Sequence, residues 1–447
     1  MQNRRTLFIG IIVFGLLTFF GSVVQAQYSQ ERTEREWRVK AEKMRTHLLP
    51  MMRKFDIDLW IIMSREFNPD PMLDLFGANG VTGWYGHRNA YLFYDAGEKG
   101  LETTIIGTHQ SGHIKLFYDT IIPYGQEGLS PHIKKYFDAR KPKKIAVNQS
   151  RTLPMADGLT IEMKKFLVEA VGKEYEKKMV PAEDMLIEYV SNRTAEEHEI
   201  ERDGSWITWN MLRRAFSNEV ITPGKTRLMD LHHWLVDEWR RQGLDFNFAP
   251  SFNIQRKGVE GGVDDAENPV ILPGDVLHVD FGVKMMGLVT DQQKMAYVLR
   301  PGETEPPAGL QKAFEQSAQM CEIVRGELNA GAIGHKVRDA AQEKGKAAGI
   351  ENSVYSHVQG NWVHCIGAWA NPDWPDRYGR HPREPVRKSE FWSIEFNSRT
   401  PVPEWGGQKV RMSREEDAYI DENGKAQYFA GPQKKLWLIR SGSESMQ

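Results

Sequence analysis

The stretch Leu277-His278-Val279-Asp280-Phe281-Gly282-Val283-Lys284-Met285-Met286-Gly287-Leu288-Val289-Thr290-Asp291 sets two aspartates among apolar residues. Val276 to Val279 is apolar apart from His278, and Gly287 to Val289 is apolar again. A turn near Met285-Met286 would fold the two arms into an antiparallel hairpin and set Asp280 against Asp291. Residues opposed in this way have Cβ atoms about 4.5–5.5 Å apart, and like charges there repel. Burying such a pair is unfavourable unless a cation lies between the carboxylates. Hard oxygen ligands suit Mn, Mg, Zn or Fe.

Four further positions join the aspartates. His357 lies in Ser356-His357-Val358-Gln359-Gly360, and His364 follows in Val363-His364-Cys365-Ile366-Gly367. Glu395 lies in the alternating run Phe391-Trp392-Ser393-Ile394-Glu395-Phe396, which puts it on one strand face with Phe391 and Ser393. Glu416 lies in Arg414-Glu415-Glu416-Asp417, just before Ala418-Tyr419-Ile420. Singly, a strand glutamate is usually exposed and a lone histidine usually packs or caps. The ordered set Asp, Asp, His, Glu, Glu in these contexts is far harder to obtain by chance. Cys365 sits beside His364, but no elbow or base for a nucleophilic thiol is evident nearby.

The elements that must position these residues occupy two units. The chain has 447 residues, 40% hydrophobic and 26% charged, enough for more than one core. A formal charge of −2 gives no support to nucleic-acid binding. Two cysteines, Cys321 and Cys365, make no disulfide framework, and a single bridge between them stays open. Residues 27–183 read as mixed α/β. A helix is expected over Arg32 to Lys54, with strands at 58–63, 89–94, 102–106 and 144–148. The basic run Lys134 to Lys144 is read as a solvated face. His87, His109, His113 and His132 are scattered and read as structural or exposed.

Residues 184–440 form the second unit. Thr194 caps a long helix, with Glu197 at the capping-box position. Further helices are expected over 229–242, 304–328 and 333–349, and strands at 391–396, 418–420 and 436–439. Residues 441–447 are a polar tail.

Residues 1–26 differ from all of this. Arg4-Arg5 precede an apolar run from Leu7 to Phe20, and Gly21-Ser22-Val23-Val24-Gln25-Ala26 offers small residues for cleavage after Ala26. That is the pattern of a secretory signal peptide. An uncleaved anchor is the alternative, since Leu7 to Val24 could almost span a bilayer. The expectation is an exported chain, periplasmic or secreted, without stable membrane association after cleavage.

The second unit resembles the M24 metallopeptidases, the pita-bread family of methionine aminopeptidase, aminopeptidase P, prolidase and creatinase. Val279-Asp280-Phe281-Gly282 and Thr290-Asp291 resemble its two aspartate motifs, and His357-Val358-Gln359-Gly360 its histidine motif. Ile394-Glu395 and Arg414-Glu415-Glu416-Asp417 resemble its two glutamate motifs. The first unit is similar to the creatinase-type N-terminal domain of aminopeptidase P and prolidase. The resemblance implies an α/β (α+β) chain of two domains and a dinuclear site held by Asp280, Asp291, His357, Glu395 and Glu416. Mn is the metal of first choice, with Zn, Co or Fe as alternatives. Two metals polarise a carbonyl and generate a bound hydroxide near neutral pH. Glu395 would move the proton, His364 would donate to the oxyanion, and Arg414 would orient Glu416. The implied substrate is a peptide with proline at the second position, and the implied assembly a homo-dimer or higher homo-oligomer.

The sequence also departs from that family. Where a substrate-gripping histidine is expected, Gly261-Gly262-Val263-Asp264-Asp265 has none. Gln293 and Lys294 replace the usual Thr and Arg, Phe396-Asn397 replaces a Pro-Gly turn, and extra residues separate Val410-Arg411 from Arg414. Two readings follow: an Xaa-Pro peptidase, or a pita-bread protein that binds or transforms something other than a peptide.

Overall fold

The computed structural model describes residues 30–77, 87–107, 112–246, 248–264 and 267–441. The expected signal peptide, His109, Asp265 and the tail beyond 441 lie outside them. Among the described residues no helix is long and apolar enough to cross a membrane.

A helix over 30–54, relaxed into a π-turn at Met44–Leu48, opens the described chain. It precedes a six-stranded sheet built from β1 (Leu59–Arg65), β2 (Arg88–Asp95), β3 (Leu101–Ile106), β4 (Thr120–Ile122), β5 (Ile145–Val147) and β6 (Met179–Pro181). Their spatial order is β4-β3-β2-β1-β5-β6. β1 is apolar without alternation because both its faces are covered. Trp60 and Ile62 pack in one core with Met44, Leu48 and Met52 of the first helix. Leu59, Ile61 and Met63 pack in another, with Ile133 and Phe137 of the helix Ser130–Arg140 and Met163 and Leu167 of the helix Ile161–Val171. A strand between two apolar layers reads as a continuous hydrophobic run.

The second sheet runs β13-β15-β16-β12-β9-β7-β8, with β14 on β15, β17 on β16 and β18 on β12. Its strands are β7 (Ser251–Gln255), β8 (Val263–Asp264), β9 (Val276–Phe281), β12 (Gln292–Val298), β13 (Glu351–Val354), β14 (His357–Gln359), β15 (Phe391–Pro401), β16 (Lys409–Ile420), β17 (Ala426–Tyr428) and β18 (Trp437–Ile439), and the short pair β10 (Lys284–Met285) and β11 (Leu288–Val289) lies outside it. Four long helices flank it: α1 (Ala195–Ala215), α2 (Leu228–Arg241), α3 (Ala308–Glu327) and α4 (Gly334–Ala347). α1 starts at the expected capping box, with Thr194 Oγ1 accepting from Glu197 N and Glu197 Oε2 from Thr194 N. Glu197 also takes a buried ion pair from Lys43 at 2.9 Å, tying the first helix to the second unit.

The expected hairpin forms, but with a different register. Met286 and Gly287 both have positive φ, 48° and 77°, as the tight turn of β10–β11 requires. This hairpin is a small sheet of its own. The longer ladder sets Asp280 opposite Gln293, so Asp280 and Asp291 do not face each other directly. Asp291 instead stands just before β12. Gly282 makes that crossing possible, since a Cβ there would lie 1.7 Å from the Thr290 carbonyl oxygen.

Candidate metal centre

Four adjacent strands carry one row of side chains across the second sheet. β9 pairs with β12 through Asp280 and Gln293, β12 with β16 through Gln293 and Glu415, and β16 with β15 through Glu415 and Glu395. Cross-strand partners share a face, so these four side chains converge. His357 enters from β14, opposite Ser393, and Asp291 from the turn before β12.

The convergence makes two overlapping groups of possible ligands. Asp291, His357 and Glu415 form one, and Asp280, Glu395 and Glu415 the other. His357 Nε2 lies 3.7 Å from oxygens of Asp291, Glu395 and Glu415. Its Nδ1 lies 3.3 Å from the Val358 carbonyl, which assigns the ring proton to Nδ1 and leaves Nε2 free to ligate. Burial holds the imidazole neutral, far below its ordinary pKa. Asp417 steadies this side of the site, accepting from the Asp291 backbone N–H at 2.8 Å and from the Gln292 and Gln359 amides.

The residues fit a divalent cation. Asp280 Oδ1 and Asp291 Oδ1 are buried and have no hydrogen-bond partner. Burial, then the charge of neighbouring carboxylates, pushes Asp291, Glu395 and Glu415 well above the carboxylate range, and burial raises Asp280 too. Clustered acids of this kind stay ionised only with a cation among them.

Glu416, expected as the fifth ligand, is not in the cluster. It opposes Ile394 on the other face of β16, where Lys294 and Arg414 pair with it. Arg414 does contact Glu416, at 2.9 Å, but both lie on the face away from the acidic row, where Arg414 reaches Ser317 and the Phe314 ring of α3. Glu415 takes the place in the row. The strand period of two made Glu415 and Glu416 alternatives, and only the register with β15 decides between them. Gln293, Ser393 and Asp417 also went unanticipated. Ser393 donates to Glu415, and it shares the face already assigned to Glu395.

His364 stands at the rim, exposed, its ring centroid 4.6 Å from that of His357 and 5.5 Å from that of Trp369. Cys365 is buried, its sulfur 4.0 Å from the Arg193 guanidinium. Both cysteines are free thiols. Asp264 ends β8 opposite Asn253, while its side chain lies outside the described residues.

Fold and site together define a two-domain chain whose second domain carries a buried carboxylate–histidine cluster. That domain belongs to metallopeptidase family M24: residues 202–420 match the family's sequence model, and the fold is the pita-bread fold. Among solved structures, an X-Pro aminopeptidase from Thermotoga maritima is similar over 87% of this chain and 100% of its own, with a TM-score of 0.65 at 16% identity. A prolidase from Pyrococcus furiosus is similar over 87% and 100%, with a TM-score of 0.59 at 16% identity. An Xaa-Pro dipeptidase from Bacillus anthracis is similar over 89% and 99%, with a TM-score of 0.59 at 16% identity. These likenesses span both domains, so the first is like that of the prolidases and aminopeptidase P. No curated protein matches the chain by sequence.

Proposed function

We propose that the chain is a metal-dependent peptidase that cleaves Xaa-Pro bonds at peptide N-termini. The observation that carries this reading is the pair of ligand groups sharing Glu415 on one face of an M24 domain. Asp280, Asp291, His357, Glu395 and Glu415 would hold two divalent ions, Mn by first choice. Ions held there supply Lewis acidity and a nucleophile near neutral pH.

The chain's own residues do the rest. Glu395, half-buried at the end of the row, would take the proton of the attacking water and pass it to the leaving nitrogen. His364, at the rim, would donate to the substrate carbonyl as negative charge develops on its oxygen. Asp417 and Ser393 hold Asp291 and Glu415 in position through hydrogen bonds. Export through the 1–26 segment and assembly as a homo-dimer or higher homo-oligomer belong to the same reading. Turnover of an Xaa-Pro peptide panel by the Mn-loaded chain tests the activity. A chain that binds metal yet cleaves no member of the panel is a binding module or acts on a non-peptide. Mass spectrometry of the native protein tests export, which requires an N-terminus near Gln27.

A further inference from the structure

Within the acidic row, one side chain is not an acid. Gln293 Nε2 lies 2.6 Å from Glu395 Oε1, 3.0 Å from Glu415 Oε2 and 3.4 Å from Asp280 Oδ2. Those three carboxylates are the members of the second ligand group. The amide nitrogen therefore stands at the centre of that group. Among the described residues no donor spans the first group in this way: Ser393 donates to Glu415 alone, and His357 Nε2 stays 3.7 Å from the Asp291 and Glu415 oxygens.

The amide cannot turn over. Asn253 Nδ2 lies 2.8 Å from His278 Nδ1, and His278 Nε2 lies 2.9 Å from Gln293 Oε1. With Asn253 donating to Nδ1, the ring carries its proton on Nε2 and donates it to the glutamine oxygen. A flipped amide would set its oxygen against three carboxylates and its NH2 against the imidazole proton. The relay Asn253–His278–Gln293 thus fixes two N–H donors toward the acids.

An ion needs the same oxygens at about 2.0–2.2 Å, inside the distance at which they now hold the amide nitrogen. The two cannot share the position. We propose that the Gln293 amide is a built-in stand-in for the second cation, so that the two groups load unequally. The group Asp291–His357–Glu415 takes a divalent ion first. The group Asp280–Glu395–Glu415 takes one only after the Gln293 amide is displaced. Each hydrogen bond to a charged group that must break weakens the second step by roughly tenfold to a hundredfold. The proposal rests on the metal-centre reading above.

Equilibrium dialysis of the mature chain against Mn(II), with elemental analysis and EPR, tests it. The wild type is expected to bind one ion tightly, with the spectrum of an isolated Mn(II), and a second at least about tenfold more weakly. In Gln293→Ala the first affinity should hold and the second approach it, with exchange-coupled Mn(II) appearing at lower concentration. Gln293→Ser, too short to reach all three acids, should behave alike, and retained binding of the first ion shows that either variant keeps its pocket. Two equally tight ions in wild type and variants alike would overturn the proposal and leave the peptidase reading standing. Loss of both ions in the variants would overturn it too, by showing that Gln293 only supports the fold. No ion bound to the wild type would sink both readings.

Discussion

β16 carries buried acids on both faces, and the two faces are treated differently. On the face toward α3, Glu416 meets Lys294 and Arg414, takes the Gln433 backbone N–H at 3.0 Å, and is fully paired. On the other face, Glu415 meets Asp280, Asp291 and Glu395, with Gln293, Ser393 and the neutral His357 as its nearest donors or ligands. The first cluster supplies its own cations; the second needs cations from outside. A buried ion pair costs stability when one partner is removed, whereas a group of like charges gains when one is removed.

The largest test of that contrast sets Glu416→Gln against Glu415→Gln in metal-free protein. Glu416→Gln leaves Lys294 and Arg414 buried without their carboxylate and should cost about 3–5 kcal/mol in denaturant unfolding. Glu415→Gln replaces a carboxyl that burial and its acidic neighbours already hold toward the neutral form, so it should cost little or raise stability. Equal losses in the two variants would erase the distinction between the faces.

The next asks whether the uncompensated face does chemistry. His364→Ala should lower kcat for Xaa-Pro peptides by about 10²–10³, the usual effect of one lost oxyanion donor. Metal content should not change, because His364 belongs to neither ligand group. An unchanged kcat would remove His364 from the reaction.

A smaller effect separates the faces by ligand linkage. An ion at a hundredfold excess over its Kd stabilises the fold by about 2.7 kcal/mol. Adding Mn should therefore raise the Tm of the wild type and of a conservative surface control, but not that of Asp291→Asn. A Tm rise retained in Asp291→Asn would place the ion elsewhere.

These contrasts also show what the sequence could and could not reveal. The apolar run of β1, the Thr194–Glu197 cap and the M24 ligand types were legible because each is a local pattern. Asp280, Asp291, His357 and Glu395 each stood in a short motif, and the structure brings them together. The choice between Glu415 and Glu416 was not local. It depends on the pairing Glu395–Glu415, set by the connection between β15 and β16 at 402–408, irregular chain with one short helix. The resemblance of Arg414-Glu415-Glu416-Asp417 to the family's second glutamate motif pointed to Glu416, the neighbour on the other face. Gln293 escaped for the same reason: its significance lies in facing Asp280 and Glu415 at once, which only the strand order β9-β12-β16 creates.

The smallest test uses a buried acid in the first domain as a control. Asp70 is buried without a cation and keeps company with amides: Asn148 Nδ2 at 2.9 and 3.0 Å from its two oxygens, and the Met72 N–H at 2.9 Å. A single acid can answer burial by taking a proton, and burial pushes Asp70 up to about 7. A folded pKa above the unfolded value gives a stability contribution that is complete below about pH 4 and is lost as pH rises through 7. Asp70→Asn cannot titrate. The stability difference between wild type and Asp70→Asn should therefore shift in favour of the wild type as pH falls from 7 toward 5, by at most about 1.4 kcal/mol per unit. Titration of the metal-centre acids is common to both proteins and cancels in the difference. Denaturant unfolding of both metal-free proteins across that range measures it. A difference flat with pH would show that Asp70 is ionised throughout, and that a lone buried acid here needs neither a proton nor a cation.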